Sequence, residues 1–125
     1  MGTRANIRIY DDHQELWFYR HHDGNPDSVL PSLTKFLDWI VDGKIENNVV
    51  QAGGWLIVLG HREYNSFGKA TPDYPWLNKK LPSKVGNYEP TIGIHSDVDY
   101  VYHIDLPGKR ISVSMDGISM DLLQK

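Results

Sequence analysis

The stretch YRHHDGNPDSVLPSL, Tyr19 to Leu33, joins two different hydrophobic periods, and the fold class follows from where one gives way to the other. Just upstream and into it, ELWFYRH sets Leu16 and Phe18 against Trp17 and Tyr19. That period of two, carried by aromatic residues, specifies a β-strand. Downstream, Val29, Leu30, Leu33, Phe36, Leu37, Ile40 and Val41 fall on one stripe of an amphipathic helix. Between them, Asp23-Gly24 and Asn25-Pro26 are turn formers. Asp27 or Ser28 is expected to cap the helix, Pro31 to be tolerated in its first turn, and Gly43 to end it.

Working outward, Ala5, Ile7 and Ile9 alternate with Asn6 and Arg8, and DDHQ (11–14) separates them from the strand ending at Arg20. These two strands predict a hairpin. In IENNVVQAGGWLIVLGHREY, Val49, Ala52, Gly53, Leu56, Ile57, Gly60 and Tyr64 suit a buried helix, although WLIVLG alone has the look of an interior strand. Helix is the reading taken. Gly53 and Gly54 each cost about 1 kcal/mol there relative to alanine, so close packing is expected to compensate. Residues 65–87 hold three of the seven prolines and show neither period, which predicts a long loop anchored by Phe67, Tyr74, Trp76 and Leu77. Alternation returns in YEPTIGIH and VDYVYHIDL, and after the LPGK turn Ile111, Val113 and Met115 alternate again. The expected architecture is α+β: one domain over 1–125, with an antiparallel sheet of about five strands, an N-terminal hairpin plus a C-terminal meander, and two helices on one face.

Composition narrows the function. A net charge of −3 and a pI near 6.0 supply no basic field for long DNA or RNA. No run approaches the roughly 18 apolar residues of a membrane span. Neither a signal-peptide block nor any cysteine is present, from which a reducing cytoplasm is expected.

The corner at Tyr19–Leu33 carries the most chemistry. A helix N-terminus with free N–H groups beside Arg20 and a histidine is a candidate anion site. Arg20 shares the face of Leu16 and Phe18, so its guanidinium needs a carboxylate or a ligand phosphate to offset desolvation. His21, His22 and Asp23, with distant His95, Asp97, His103 and Asp105, have the residue types of a metal site or a His-Asp acid-base pair. Their spacing is weak: HSD at His95 is at best half of the two motifs that a two-histidine phosphodiesterase requires, and no nucleophile elbow, P-loop or G-x-G-x-x-G occurs. No metal or cofactor is read from the chain. Trp17, Trp39 and Trp55 are expected in the core, whereas Trp76 and Tyr88, near Lys79, Lys80 and Lys84, combine stacking faces with cations.

GTRANIRIY leading to FYRHHDGNPDSVLPSL, and later HSDVDYVYHIDL, resemble small phage proteins with an Arg-His-x-Asp-Gly-x-Pro turn before a helix and a late Asp-x-x-Tyr-x-Tyr-x-Ile-Asp strand. Within that group the chain most resembles the phage Thoeris anti-defence family of the first type. The resemblance implies a non-catalytic sponge in the host cytoplasm that binds glycocyclic ADP-ribose signals, with cyclic oligonucleotides as further ligands, and that assembles as dimers or hexamers with pockets at subunit interfaces. The site residues expected on chemical grounds are Arg4, Arg20, Arg62, Lys84 and Arg110 for phosphates, Tyr88 or Trp76 for stacking, and His21, His22, Asp23 and Asn87 for polar contacts. The competing expectation is a small phosphodiesterase using His21 or His22 with His95.

Overall fold

The computed structural model describes residues 3–67, 86–115 and 118–124. Strands β1 (Ala5–Tyr10) and β2 (Glu15–Arg20) are followed by helices α1 (Pro26–Val41) and α2 (Val49–Phe67). Strands β3 (Glu89–Pro90), β4 (Tyr100–Asp105), β5 (Arg110–Met115) and β6 (Ile118–Gln124) complete one sheet of order β3-β2-β1-β4-β5-β6. The α+β class with two helices holds.

The sheet is mixed rather than antiparallel. β1 pairs antiparallel with β2, Ile7 opposite Phe18, but parallel with β4, Ile7 opposite Tyr102. The cause is topological: the hairpin uses one edge of β1, and the two helices carry the chain back so that β4 enters the other edge in the same direction, as a crossover does. The expected strand in YEPTIGIH shrinks to Glu89–Pro90, while β6, which the sequence pattern did not announce, pairs antiparallel with β5. The β4–β5 hairpin forms as expected, with Lys109 at φ 52° in its turn.

One face of the sheet is the core. Ala5, Ile7, Ile9, Tyr102, Ile104, Ile111 and Val113 are fully buried, and Phe18 nearly so, against Val29, Leu33, Phe36 and Leu37 of α1 and Val49, Ala52, Leu56 and Leu59 of α2. α2 packs over β1 and β2, and α1 over β5. Of the three tryptophans expected inside, Trp17 and Trp39 are half-buried and Trp55 is 42% exposed. A large ring on a thin two-layer domain reaches the rim before it is covered. No helix among the described residues is long and apolar enough to cross a membrane.

Local signals explain the helix ends. α1 starts one residue before Asp27, with Pro26 in the first turn and Asn25 as N-cap; the expected caps Asp27 and Ser28 lie inside the helix. Pro31 therefore sits in the second turn, where its missing N–H leaves the Asp27 carbonyl without its helical donor. Gly43, at φ 75°, ends α1: its N–H donates to the Ile40 carbonyl and that of Lys44 to the Trp39 carbonyl, the double bond of a Schellman motif. Asn48 caps α2, its Oδ1 accepting from the N–H groups of Val50 and Gln51. The helix continues through residues 65–67, which the sequence pattern gave to the loop, and the rest of that loop, 68–85, lies outside the described residues.

The two central glycines of α2 differ. A side chain at Gly53 would meet Leu16 Cδ1 at 2.8 Å and Phe18 Cζ at 3.1 Å, so this glycine brings the helix down onto β2. Gly54 faces open space, and no packing among the described residues compensates its cost.

Candidate functional site

Arg20 ends β2 on the core-facing side and is only 4% exposed. Its Nε donates to the His22 carbonyl at 3.0 Å, and its Nη1 to the Tyr88 hydroxyl at 3.0 Å. The Tyr88 hydroxyl lies 2.6 Å from Ser32 Oγ, which donates to Glu63 Oε1 at 2.8 Å. Because an arginine only donates and Ser32 gives its proton to Glu63, Tyr88 must donate to Ser32. The result is a polarised chain from guanidinium through two hydroxyls to a carboxylate, assembled from β2, the segment before β3, α1 and α2. Arg20 makes no ion pair among the described residues. Its charge is compensated at a distance.

Each link is seated by packing. A side chain at Gly60 would strike the Tyr88 ring and its backbone nitrogen, both at 2.9 Å, so this glycine of α2 provides the bed on which Tyr88 lies. Burial pushes the Tyr88 hydroxyl up to about 12, with Arg20 and Ser32 opposing that rise, and it stays protonated as the relay requires. The HHDGNP turn is fixed from below: Gly24 donates to the Thr3 carbonyl at 2.8 Å and accepts from the Tyr102 hydroxyl at 2.7 Å. A Cβ on Gly24 would meet the Thr3 oxygen at 2.8 Å. The left-handed conformation of the turn falls on Asp23, at φ 54°, a residue type that tolerates it.

Above this chain opens a recess of about 470 Å³ lined by Arg20, Ser32, Glu63, Asp23, Asp27, Ser28, Pro31, Lys35 and Asn87. Two cations and three carboxylates share it. The N-terminus of α1 adds less anion affinity than its position suggests: Pro26 has no N–H, Ser28 N–H donates to the Asn25 carbonyl, and Asp27 places a negative charge in the first turn. The anion-binding power of this corner therefore rests on Arg20 and Lys35.

The residues expected at the site separate into groups. Arg20, Asp23 and Asn87 meet at the recess, and Tyr88 underlies it. Tyr88 is 1% exposed, so its ring cannot stack on a ligand; its role is to hold Arg20. His21 and His22 are exposed on the turn and do not line the recess, although His22 lends its carbonyl to Arg20. Arg4 pairs with Asp97 and does not line the recess. Arg62 is exposed on α2, and Arg110 stands 3.9 Å from Asp105 on the β4–β5 hairpin. Trp76 and Lys84 lie outside the described residues. Ser32, Lys35, Glu63 and Asp27 were missed. Ser32 and Glu63 had a legible signal, since each interrupts the apolar stripe of its helix with a polar group at a core-facing phase.

A second recess of about 550 Å³ is lined by Tyr19 and residues 89–97. The His95 ring stacks on Tyr19 at 3.9 Å, and the Tyr19 hydroxyl lies 2.8 Å from His21 Nδ1. Tyr19 thus stands in contact with His21 and His95, two of the three histidines of the hydrolytic alternative.

On the reverse face of the sheet, Arg8 Nε donates to His103 Nδ1 at 3.1 Å, which places the imidazole proton on Nε2, 3.2 Å from Ser114 Oγ. Burial, and then the Arg8 charge, hold His103 below its usual range. Its neutral form is the folded form. His103 therefore contributes stability that is complete above the unfolded value of 6.5 and is lost as pH falls through the lower folded value.

Two outcomes follow. Urea midpoints measured from about pH 7.5 to pH 5 are expected to fall on acidification, and His103→Gln to flatten that fall; an unchanged slope contradicts the assignment. Tyr88→Phe keeps the ring but strands Arg20 and Ser32, so unfolding free energy is expected to drop by about 1–3 kcal/mol, read from the same denaturation curves. Compared with known proteins, the chain matches no family model, no curated protein and no solved structure.

Proposed function

We propose that this protein is a non-catalytic binder that captures a cyclic ADP-ribose-type signalling nucleotide in the Arg20 recess and withholds it from a host defence effector. The observation that carries the proposal is a buried guanidinium that lines an open recess and has no carboxylate in direct contact among the described residues. Five N–H groups belong to a guanidinium, and described residues engage two of them. The remaining donors suit a phosphate, with Lys35 at the rim as a second cation. Asp23, Asp27 and Asn87 suit the hydroxyls of a ribose, in the way that an acidic residue takes a ribose hydroxyl in dinucleotide sites. A ligand with phosphate at one end and sugar hydroxyls at the other matches the mixed charge of the recess better than a bare anion does. The resemblance to the Thoeris anti-defence sponges supports the same ligand class, the same absence of turnover, action in the host cytoplasm, and self-association.

The phosphodiesterase alternative draws on one specific observation, the contact of His21 and of His95 with Tyr19, of which Tyr19 and His95 line the second recess. One experiment separates the two. The protein is mixed with a cyclic ADP-ribose isomer, depletion of free ligand is measured, and the mixture is heat-denatured and chromatographed. Stoichiometric depletion with intact ligand recovered is the expected result; accumulation of product supports the hydrolase, and no depletion rejects both. Arg20→Met is expected to weaken binding by roughly 10- to 150-fold, the range of a lost charge-assisted bond, and exposed Lys35→Ala by a smaller factor without loss of fold.

A further inference from the structure

The recess over Arg20 holds more negative than positive charge, which capture of phosphate alone would not call for. Arg20 and Lys35 face Asp23, Asp27 and Glu63, so the acidic side is in excess by one charge. Glu63 is coupled to Arg20 through the two hydroxyls. Asp23 and Asp27 are exposed and form no ion pair among the described residues. Nor does the backbone require a charge at Asp23, since asparagine and glycine adopt its φ of 54° as readily.

The charges are also ordered along the recess. Asp23 lies in the turn that leads into α1, and Asp27 in the first turn of that helix. Lys35, eight residues beyond Asp27, stands about 12 Å further along the helix axis. The guanidinium falls between them, at the level of Ser32, because Arg20 Nη1 and Ser32 Oγ meet on the Tyr88 hydroxyl. A ligand therefore meets cations over one half of the recess and two carboxylates over the other. Phosphate suits the first half; in the second, a carboxylate accepts from a sugar hydroxyl and repels a phosphate.

We infer that Asp23 and Asp27 are specificity determinants, which admit nucleotides whose phosphates form an internal diphosphate bridge and reject those that also carry a terminal phosphate monoester. Each phosphate of such a bridge is substituted on both sides and keeps one negative charge, whereas a monoester carries about −1.5 to −2 near pH 7. In a cyclic ADP-ribose both phosphates lie in the bridge. Arg20 and Lys35 meet them, and only hydroxyls are left for the acidic half. ATP, or a nucleotide phosphorylated on a ribose hydroxyl, brings a more highly charged group that must lie against the carboxylates. A repulsive element of this kind separates ligands that share an adenosine and a diphosphate, which attraction to Arg20 alone would not do.

This selectivity rests on the ligand class proposed above, and the test keeps the two apart. Calorimetric titrations of the full chain, of Asp23→Asn, of Asp27→Asn and of the double variant use three probes in magnesium-free buffer: a cyclic ADP-ribose isomer, the same isomer carrying a phosphate monoester on a ribose hydroxyl, and ATP. The native chain is expected to prefer the unmodified isomer over both other probes by roughly 100-fold or more. In the double variant that ratio is expected to fall by roughly tenfold or more, through tighter binding of the monoester-bearing probes, with each single variant in between. Raising salt from about 0.05 to 0.5 M is expected to narrow the preference of the native chain more than that of the double variant. Both positions are exposed, asparagine tolerates the backbone at Asp23, and circular dichroism checks the fold of every variant. A native chain that binds the isomer but takes its phosphorylated form equally well, or a ratio unchanged in the double variant, would overturn this inference alone. A native chain that binds none of the probes would overturn the ligand reading and the inference together.

Discussion

The arrangement of this protein's site depends on one buried charge and the indirect way in which it is compensated. Removing a guanidinium from water costs on the order of several kcal/mol. A carboxylate in contact with Arg20 would offset that cost and occupy its donors. Here two neutral hydroxyls stand between Arg20 and Glu63, so the opposite charges are coupled through hydrogen bonds while part of the guanidinium is left uncommitted by the described residues. Such a chain polarises along its length, each hydroxyl accepting on one side and donating on the other.

The fold supplies the precision that such a chain needs. β1 is held between β2 and β4, and its parallel partnership with β4 brings Tyr102 under the HHDGNP turn, where its hydroxyl fixes the Gly24 carbonyl. That fixes the turn, hence the His22 carbonyl that holds Arg20 Nε. From the other side, Gly60 lets Tyr88 lie against α2, and Asn87 N–H donates to the Gly60 carbonyl at 3.3 Å. Sheet, turn and both helices converge on four side chains, and the recess is the space left over them.

Much of this was legible in the residues. The strand–turn–helix corner, the β1–β2 and β4–β5 hairpins and the helical reading of 49–64 followed from periodicity, which depends on local burial alone. The parallel β1–β4 pairing was not legible, because residues flanking a central strand look alike whichever way the next strand runs; Tyr100, Tyr102 and Ile104 alternate as an antiparallel strand would. Arg20 was identified because a cation on the face of Leu16 and Phe18 demands compensation. Its compensators were missed, although Ser32 and Glu63 break the apolar stripes of their helices, because Tyr88, Ser32 and Glu63 are distant in sequence and their meeting depends on packing such as that of Tyr88 on Gly60. Tyr88 shows how composition misleads: an aromatic beside a basic loop suggested a stacking platform, whereas burial makes it a hydrogen-bonding prop.

The central claim is that the uncommitted side of Arg20 meets a phosphate-bearing ligand. The most direct measurement is the ¹⁵N-edited spectrum of the arginine Nε–H groups, with Arg20 assigned by substitution, during titration with a cyclic ADP-ribose isomer. A saturable shift of the Arg20 resonance, with the ligand recovered unchanged, is the result the account predicts. An Arg20 signal that stays fixed while the Tyr19 and His95 resonances move would contradict it.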